Sequence, residues 1–184
     1  DVVIMAPSNE NECRQMLHTG FLLDKPAVVR YPRGVGPGVE IDKKMSAIPV
    51  GESKTITTGN SVAILSFGSV LEIARDVSKK IDATLVDMRF IKPLDEKMLV
   101  EIGNSHDVIF TIEESVIDGG AGSAVNEFLL GIGARPYIFN YGLPDILLAH
   151  GSREDMLVEA GLEIDAFKNF VDTKLKLSKE ISKR

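Results

Sequence analysis

The chain has 184 residues, 44% of them hydrophobic and 26% charged, which is typical of a folded globular protein and excludes a disordered or collagen-like chain. Its net charge of −6 argues against nucleic acid as a partner, so any anion must be bound by a local basic cluster. The single cysteine, Cys13, excludes an internal disulfide framework and indicates a reducing compartment, and no apolar run is long enough to span a membrane, so we predict a cytoplasmic protein without a membrane partner.

The first elements form one predicted βαβ unit. Residues 2–5 (VVIM) are an apolar run typical of a buried parallel strand, Ser8 or Asn9 caps a following helix, and "AVVR" is the second strand. Apolar residues recur along the helix at helical spacing and indicate its buried face, on which we place Cys13: Cys13, Met16, Leu17 and Phe21. Because the chain opens on Asp1 and runs directly into a strand, we expect preceding sequence to belong to the same fold.

A change of composition separates this unit from the rest. Residues 40–49 are polar and irregular and predict a linker, so we place a partial unit at 1–46 and a complete domain at 47–184. The complete domain opens with a predicted hairpin, in which a Thr-rich strand turns at Gly59-Asn60 into a buried strand at 62–66.

Strands and helices then alternate to the end of the chain. Further strands are predicted at 84–88, 107–113 and 137–140. Helices are predicted around 70–77, after an Asp95 cap, within 120–131, at 153–160 after a Ser152 cap, and at about 165–182. This alternation predicts the α/β class, with a mostly parallel sheet covered by helices on both faces.

The segment "VVRYPRGVGPG" (28–38) carries the best candidate for a binding site. Arg33 lies just beyond a predicted strand, where ligands of open α/β sheets collect, and its planar guanidinium matches phosphate or carboxylate oxygens. Pro32 stiffens the turn, and the glycines let backbone N–H groups approach the same anion. The alternative is a surface ion pair or a loop anchor, and for Arg30 a structural role is the better interpretation.

Two further segments suggest chemistry only superficially. "DGGAGSAVNEF" (118–128) resembles a dinucleotide fingerprint, but its third position is Val125, so we predict that its glycines let a helix pack closely. Glu113 and Glu114 are adjacent on a predicted strand, so they point to opposite faces and cannot flank one bond. One of them is expected to face solvent or cap the glycine-rich backbone.

The remaining polar residues form no complete active site. Asp87 and Asp95 lie near strand or helix ends, where a capping role is the better interpretation for Asp95. The histidines are far apart and none has a second ligand at helical spacing, so no metal site is predicted: His18, His106 and His150. No nucleophile stands beside an evident base, and we assign no catalytic residue.

Longer segments match a known family. "DVVIMAPSNENECRQMLHTG", "VVRYPRG", "VAILSFGS", "LVDMRFIKPLDE", "IEE", "GGAGSAVNEF" and "GLPD" occur in the order of the 1-deoxy-D-xylulose-5-phosphate synthases, which are transketolase-like thiamine-diphosphate enzymes. The chain resembles roughly the last third of such an enzyme. The resemblance implies the end of the pyrimidine-binding domain at 1–46, followed by a whole transketolase carboxyl-terminal domain.

This resemblance also implies a function. Family members are homodimeric transferases that condense pyruvate with glyceraldehyde 3-phosphate, release carbon dioxide, and feed isoprenoid, thiamine and pyridoxal biosynthesis. The arginine at the position of Arg33 helps hold the triose phosphate. The groups that bind thiamine diphosphate and Mg²⁺ lie upstream of Asp1, so we expect this chain alone to be inactive and to need that upstream portion as its partner. The alternative is a non-catalytic assembly module of a related protein, such as the beta subunit of a 2-oxo-acid dehydrogenase.

Overall fold

A computed structural model of the chain describes residues 1–183 and contains two sheets. The strands are β1 (Val3–Met5), β2 (Ala27–Val29), β3 (Lys54–Thr57), β4 (Val62–Phe67), β5 (Thr84–Asp87), β6 (Phe90–Lys92), β7 (Val108–Val116) and β8 (Tyr137–Leu143). The helices are α1 (Glu10–Leu22), α2 (Leu71–Ile81), α3 (Glu96–Ser105), α4 (Ala121–Gly131), α5 (Arg153–Glu159) and α6 (Ile164–Ile181).

The larger sheet confirms the predicted class. Its order is β3-β5-β4-β7-β8, and β5, β4, β7 and β8 are parallel. Helices α2 and α6 pack on one face, where Phe110 and Phe167 are fully buried, and α3 and α4 cover the other face over Leu65 and Ile109. Successive residues of a strand point to opposite faces, so the continuous apolar strands supply both cores.

The predicted hairpin is wrong. Strand β3 pairs antiparallel with β5, and β5 lies between β3 and β4. The Gly59-Asn60 turn instead contacts the beginning of β5, where the Gly59 N–H donates to Thr84 Oγ1 over 3.0 Å and the Asn60 N–H donates to the Asp82 carbonyl over 3.1 Å. A side chain at Gly59 would overlap the backbone of Asp82, so the turn residues serve this close approach rather than a hairpin.

The smaller sheet joins the two parts of the sequence. Strand β1 pairs parallel with β2, as predicted, but its other edge pairs antiparallel with β6, which the sequence pattern did not reveal. Strand β6 is short and follows β5 after only two residues. Its Phe90 is fully buried against Met5 and Met16, so the core of the smaller sheet needs a residue from beyond position 47.

Most helix boundaries follow the predicted caps. Asn9 caps α1 by accepting from the Glu12 N–H, Asp95 caps α3 through the Met98 N–H, and Ser152 caps α5.

The predicted buried face of α1 is confirmed only at Met16, however. The residues of this helix that are buried are Glu12, Gln15, Met16 and Thr19. Leu17 and Phe21 are exposed, and Cys13 is only partly buried, so it does not pack in a core.

Candidate functional site

Strands β4 and β7 are neighbours inside the larger sheet, and a crevice lies at their carboxyl ends. The chain leaves β4 through α2 toward β5 on one side, and it leaves β7 through α4 toward β8 on the other. In open α/β sheets such a reversal of direction is the usual position of a ligand site. Ser69 follows β4 at this crevice, and Glu114 lies near the end of β7.

Glu113 and Glu114 point in different directions, as their adjacency predicts. The Glu113 carboxylate accepts from the backbone N–H groups of Ala121 and Gly122, each over 2.8 Å, at the amino end of α4. Burial raises the pKa of Glu113, and these two hydrogen bonds oppose that shift. A side chain at Gly122 would overlap Thr111 and Asn140, so this glycine permits the close helix packing that we expected.

Glu114 is part of a cluster with Ser69 and Arg153. Its Oε2 accepts from Ser69 Oγ over 2.6 Å and from Arg153 Nη2 over 2.5 Å, and the same Nη2 donates to Ser69 Oγ over 3.0 Å. The Arg153 side chain is 26% exposed and that of Glu114 is 22% exposed. Partial burial reduces screening by water, so this ion pair holds its members more firmly than a surface pair does.

The "RYPRG" segment (30–34) lies over this crevice. Arg30 Nη1 donates to the main-chain oxygen of Glu114 over 2.5 Å, which supports the structural interpretation of Arg30. Tyr31 and Pro32 line a cavity of about 150 Å³ together with Gly68 and Ser69. Arg33 is exposed and forms no hydrogen bond or ion pair with any other residue in 1–183, so its guanidinium is available to a ligand.

After this segment the chain runs along the polar side of α1. The Gly38 N–H donates to Glu10 Oε1 over 2.7 Å, and the Ser46 N–H donates to Gln15 Oε1 over 2.7 Å. The Ile48 N–H donates to Thr19 Oγ1 over 2.8 Å. These bonds explain why the polar side of α1 is the buried one, because it satisfies the backbone of a segment that has no secondary structure.

Between α1 and this segment is a groove of about 680 Å³, which we call the α1 groove. Its apolar lining includes Cys13, Leu17, Tyr31, Val35 and Met45. Its polar lining includes His18, Ser69 and Arg153. The groove is therefore contiguous with the cluster of Ser69, Glu114 and Arg153.

A second charged cluster joins the two sheets. Asp87 is 1% exposed, and burial raises its pKa to about 6, with Glu12 adding to the rise and Ser8 and Arg89 opposing it. Arg89 Nη2 donates to Glu12 Oε1 over 2.7 Å. This cluster links α1 to the end of β5 and lies apart from the lining of the α1 groove, in which only Ser8 appears.

The histidines show no shared site. His106 lies within 2.8 Å of the hydroxyls of both Ser105 and Thr84, while His18 lines the α1 groove. Across residues 1–183, no three histidine, cysteine or acidic side chains are grouped as metal ligands. Within the same range, no helix combines the length and apolarity needed to cross a bilayer.

Comparison with known proteins identifies the class. Residues 51–166 match the family "Transketolase, C-terminal domain", and the chain belongs to this family. A solved "Split gene transketolase, inactive beta4 tetramer" superposes with a TM-score of 0.80 at 22% identity, over 96% of this chain and 59% of that one. Transketolase from Campylobacter jejuni superposes with a TM-score of 0.63 at 13% identity, over 94% of this chain and 26% of that one. At these identities the two structures establish the fold.

The sequence relatives are more specific. The 1-deoxy-D-xylulose-5-phosphate synthase of Nitrosococcus oceani is 48% identical over 173 residues, which are 94% of this chain and 27% of that protein. The same enzyme of Methylococcus capsulatus is 50% identical over an alignment of 174 residues, which covers 91% of this chain and 27% of that protein. The chain thus spans about a quarter of the length of these relatives and matches their carboxyl-terminal part. This confirms the family resemblance found in the sequence motifs.

The sequence predicts Arg33 as a site residue but does not predict the cluster of Ser69, Glu114 and Arg153. Ser69 and Arg153 are 84 positions apart and come together only through the fold. Arg153 follows the Ser152 cap, and nothing local distinguishes it from a surface arginine. The only usable signal was the end of a buried strand just before Ser69, which marks the ligand-binding edge of a parallel sheet.

Proposed function

We propose that this chain is the carboxyl-terminal portion of a 1-deoxy-D-xylulose-5-phosphate synthase, which condenses pyruvate with glyceraldehyde 3-phosphate and releases carbon dioxide. The relatives at 48% and 50% identity support the assignment over more than nine-tenths of the chain. We assign no catalytic residue to this portion.

Arg33 is proposed to bind the phosphate of glyceraldehyde 3-phosphate. The single observation that carries this role is the exposed guanidinium of Arg33, which has no partner in residues 1–183 and extends from a segment whose first arginine is anchored on Glu114. A planar guanidinium can donate two hydrogen bonds to a phosphate, and charge-assisted bonds of this kind are the strong ones.

The test is Arg33→Met in the full-length protein. Charged hydrogen bonds contribute about 1.5–3 kcal/mol, so the KM for glyceraldehyde 3-phosphate is expected to rise about ten- to hundredfold. The KM for pyruvate stays unchanged, because pyruvate has no phosphate. The matched control is Arg135→Met. Arg135 is exposed just before β8, at the amino ends of the parallel strands, whereas the crevice lies at their carboxyl ends. An unchanged KM for the triose phosphate in Arg33→Met would refute the assignment.

The cofactor is proposed to be bound outside this chain. The full-length enzyme uses thiamine diphosphate with Mg²⁺, and the coenzyme supplies the carbanion chemistry when bound. Relatives that are nearly four times longer than the matched segment support a role for an upstream portion, because about 73% of their length lies outside it. Calorimetric titration of the 184-residue chain with thiamine diphosphate and Mg²⁺ is expected to give no binding signal, and a clear signal would contradict this proposal.

A second candidate function is assembly rather than chemistry. The exposed apolar side chains of Leu17, Phe21 and Val35 favour it, because patches of this kind mark interaction sites. In this view the chain contributes contacts with the upstream portion and within a cytoplasmic homodimer. Mixing the chain with the separately produced upstream portion and measuring carbon dioxide release from pyruvate distinguishes the two functions, because restored activity is expected only for the synthase.

A further inference from the structure

We infer that Arg153 is a positioning residue for the "RYPRG" segment (30–34). Glu114 and Ser69 hold the Arg153 side chain, which supports the backbone beside Arg33. Arg153 thereby sets the affinity for the phosphorylated substrate. This inference rests on the proposed function of Arg33. It assigns a role to the crevice of the transketolase carboxyl-terminal domain, which itself contains no candidate catalytic residue.

The position of the crevice is typical of a ligand site. It lies at the reversal point of the larger sheet, between the carboxyl ends of β4 and β7, where open α/β folds place a ligand. Here the crevice is covered by Arg30, Tyr31 and Pro32, which leave a cavity of only about 150 Å³. The domain therefore uses its usual ligand position to bind a segment of its own chain.

Glu114 contacts this segment through Arg30 and also holds the Arg153 side chain. Its main-chain oxygen accepts from Arg30 Nη1 over 2.5 Å, three residues before Arg33. Its carboxylate accepts from Arg153 Nη2 over 2.5 Å, and Ser69 Oγ completes a closed triangle of hydrogen bonds. The positions of Arg30 and Arg153 are thus set by one residue at the end of β7, a rigid strand in the middle of the sheet.

Arg153 also lies beside Gly34, the residue that follows Arg33. A Cβ built on Gly34 would lie 3.6 Å from Arg153 Cδ, so the aliphatic part of Arg153 packs directly against this backbone position. Truncation of Arg153 would remove that support and leave Glu114 with Ser69 alone. Because a displacement of about 1 Å in a binding group can greatly reduce its effect, loss of the support is expected to weaken phosphate binding through Arg33.

The test compares two acceptor substrates in the full-length enzyme. Arg153→Met is expected to raise the KM for glyceraldehyde 3-phosphate about tenfold, while the KM for D-glyceraldehyde, which has no phosphate, changes by less than about twofold. Arg153→Lys keeps the charge and the ion pair with Glu114 and is expected to restore about half of the lost affinity on a logarithmic scale. Arg135→Met again serves as the control, with both KM values unchanged.

The double variant separates this inference from the proposed function. If Arg33→Met raises the KM for the triose phosphate, the proposed function stands, and Arg33→Met/Arg153→Met is expected to add no more than about twofold, since both changes affect one interaction. An unchanged KM in Arg153→Met alongside a raised KM in Arg33→Met would overturn the positioning role only. Equal increases for both acceptors would also overturn it, because they would indicate a general structural defect. Glu114→Gln provides a second variant should Arg153→Met fold poorly, and the same selective rise in the KM for the triose phosphate is expected.

Discussion

Helices α1 and α2 both carry apolar residues at helical spacing but differ in what they bury. Helix α2 buries Leu71, Ala74 and Val77, so its apolar stripe marks its packed face. Helix α1 buries Gln15 and Thr19 and exposes Leu17 and Phe21. In the first region, residues 1–48, α1 contacts the segment that follows β2 through hydrogen bonds from side chains to backbone, beside a small apolar core around Met16. The larger sheet is organised by an apolar core. An apolar stripe identifies a face that needs a partner, and that partner can be another molecule or chain segment.

The largest expected effect contrasts Phe110 with Phe21. Phe110 is fully buried and packs against Phe139 and Phe170, with ring centroids 5.6 and 6.2 Å away. Phe110→Ala is expected to lower the free energy of unfolding by about 3–5 kcal/mol through the cavity that it creates. Phe21 is 86% exposed, so Phe21→Ala is expected to change that free energy by less than about 0.5 kcal/mol. Urea denaturation of both variants measures the contrast, which is lost if the two changes cost the same.

The next effect concerns the charged cluster of Asp87, Glu12 and Arg89, which joins the two sheets. The pKa of Asp87 is raised from 3.8 to about 6, so the folded state binds this proton more tightly than the unfolded state, and stability falls as the pH rises from about 4 to about 6. A shift of this size corresponds to about 3 kcal/mol, and Asp87→Asn is expected to flatten the pH dependence by up to that amount.

Asp95 provides a control whose pKa is shifted in the opposite direction from that of Asp87. Burial would raise its pKa, but hydrogen bonds from Met98 and Ser53 outweigh burial and lower it. Its contribution to stability is therefore present at neutral pH and lost as the pH falls through the lowered pKa. Thermal unfolding across pH should show that Asp95→Asn removes a stabilisation that grows with pH. A parallel response of the Asp87 and Asp95 variants would contradict the predicted signs.

The smallest effect tests the hydrogen bonds that organise the first region. Thr19 is buried, donates to the Gln15 carbonyl over 2.8 Å and accepts from the Ile48 N–H over 2.8 Å. Thr19→Val leaves that N–H without its partner and is expected to lower the free energy of unfolding by about 1–3 kcal/mol. It is also expected to speed proteolysis within residues 36–48.

Thr173 provides the matched control for this change. It makes the same bond to the carbonyl four residues earlier, over 2.8 Å, but it is exposed on α6. Thr173→Val is expected to change the free energy of unfolding by less than about 0.5 kcal/mol. If cleavage of residues 36–48 proceeds in Thr19→Val at the unaltered rate, Thr19 does not anchor the segment.

Much of the fold was predictable because its signals are local. The buried strand at 62–66, the caps at Asn9, Asp95 and Ser152, and the α/β class all follow from patterns within a few residues. The hairpin failed because the choice of a strand partner depends on residues far along the chain. The chain does reverse direction at Gly59-Asn60, but these residues contact β5 instead of closing a hairpin. Strand β6 was missed because it follows β5 after only two residues and ends at Lys92, so no separate apolar run marks it.

For the candidate site, the sequence predicts Arg33 and a phosphate ligand, since a motif needs only neighbouring residues, and this assignment stays a prediction. It could not indicate the triangle of Ser69, Glu114 and Arg153, whose members are far apart in the chain.

Local patterns in the amino-acid sequence were therefore enough to establish the class, most elements and the family, while phosphate binding by Arg33 stays a prediction. The packed structure alone decided which strands pair, which side of α1 is buried and what supports the Arg33 loop. The physical reason is the separation along the chain over which each interaction acts. Helix caps, hydrophobic periodicity and turn residues act over a few positions. Strand pairing and the satisfaction of buried polar groups depend on partners that only the folded chain brings together.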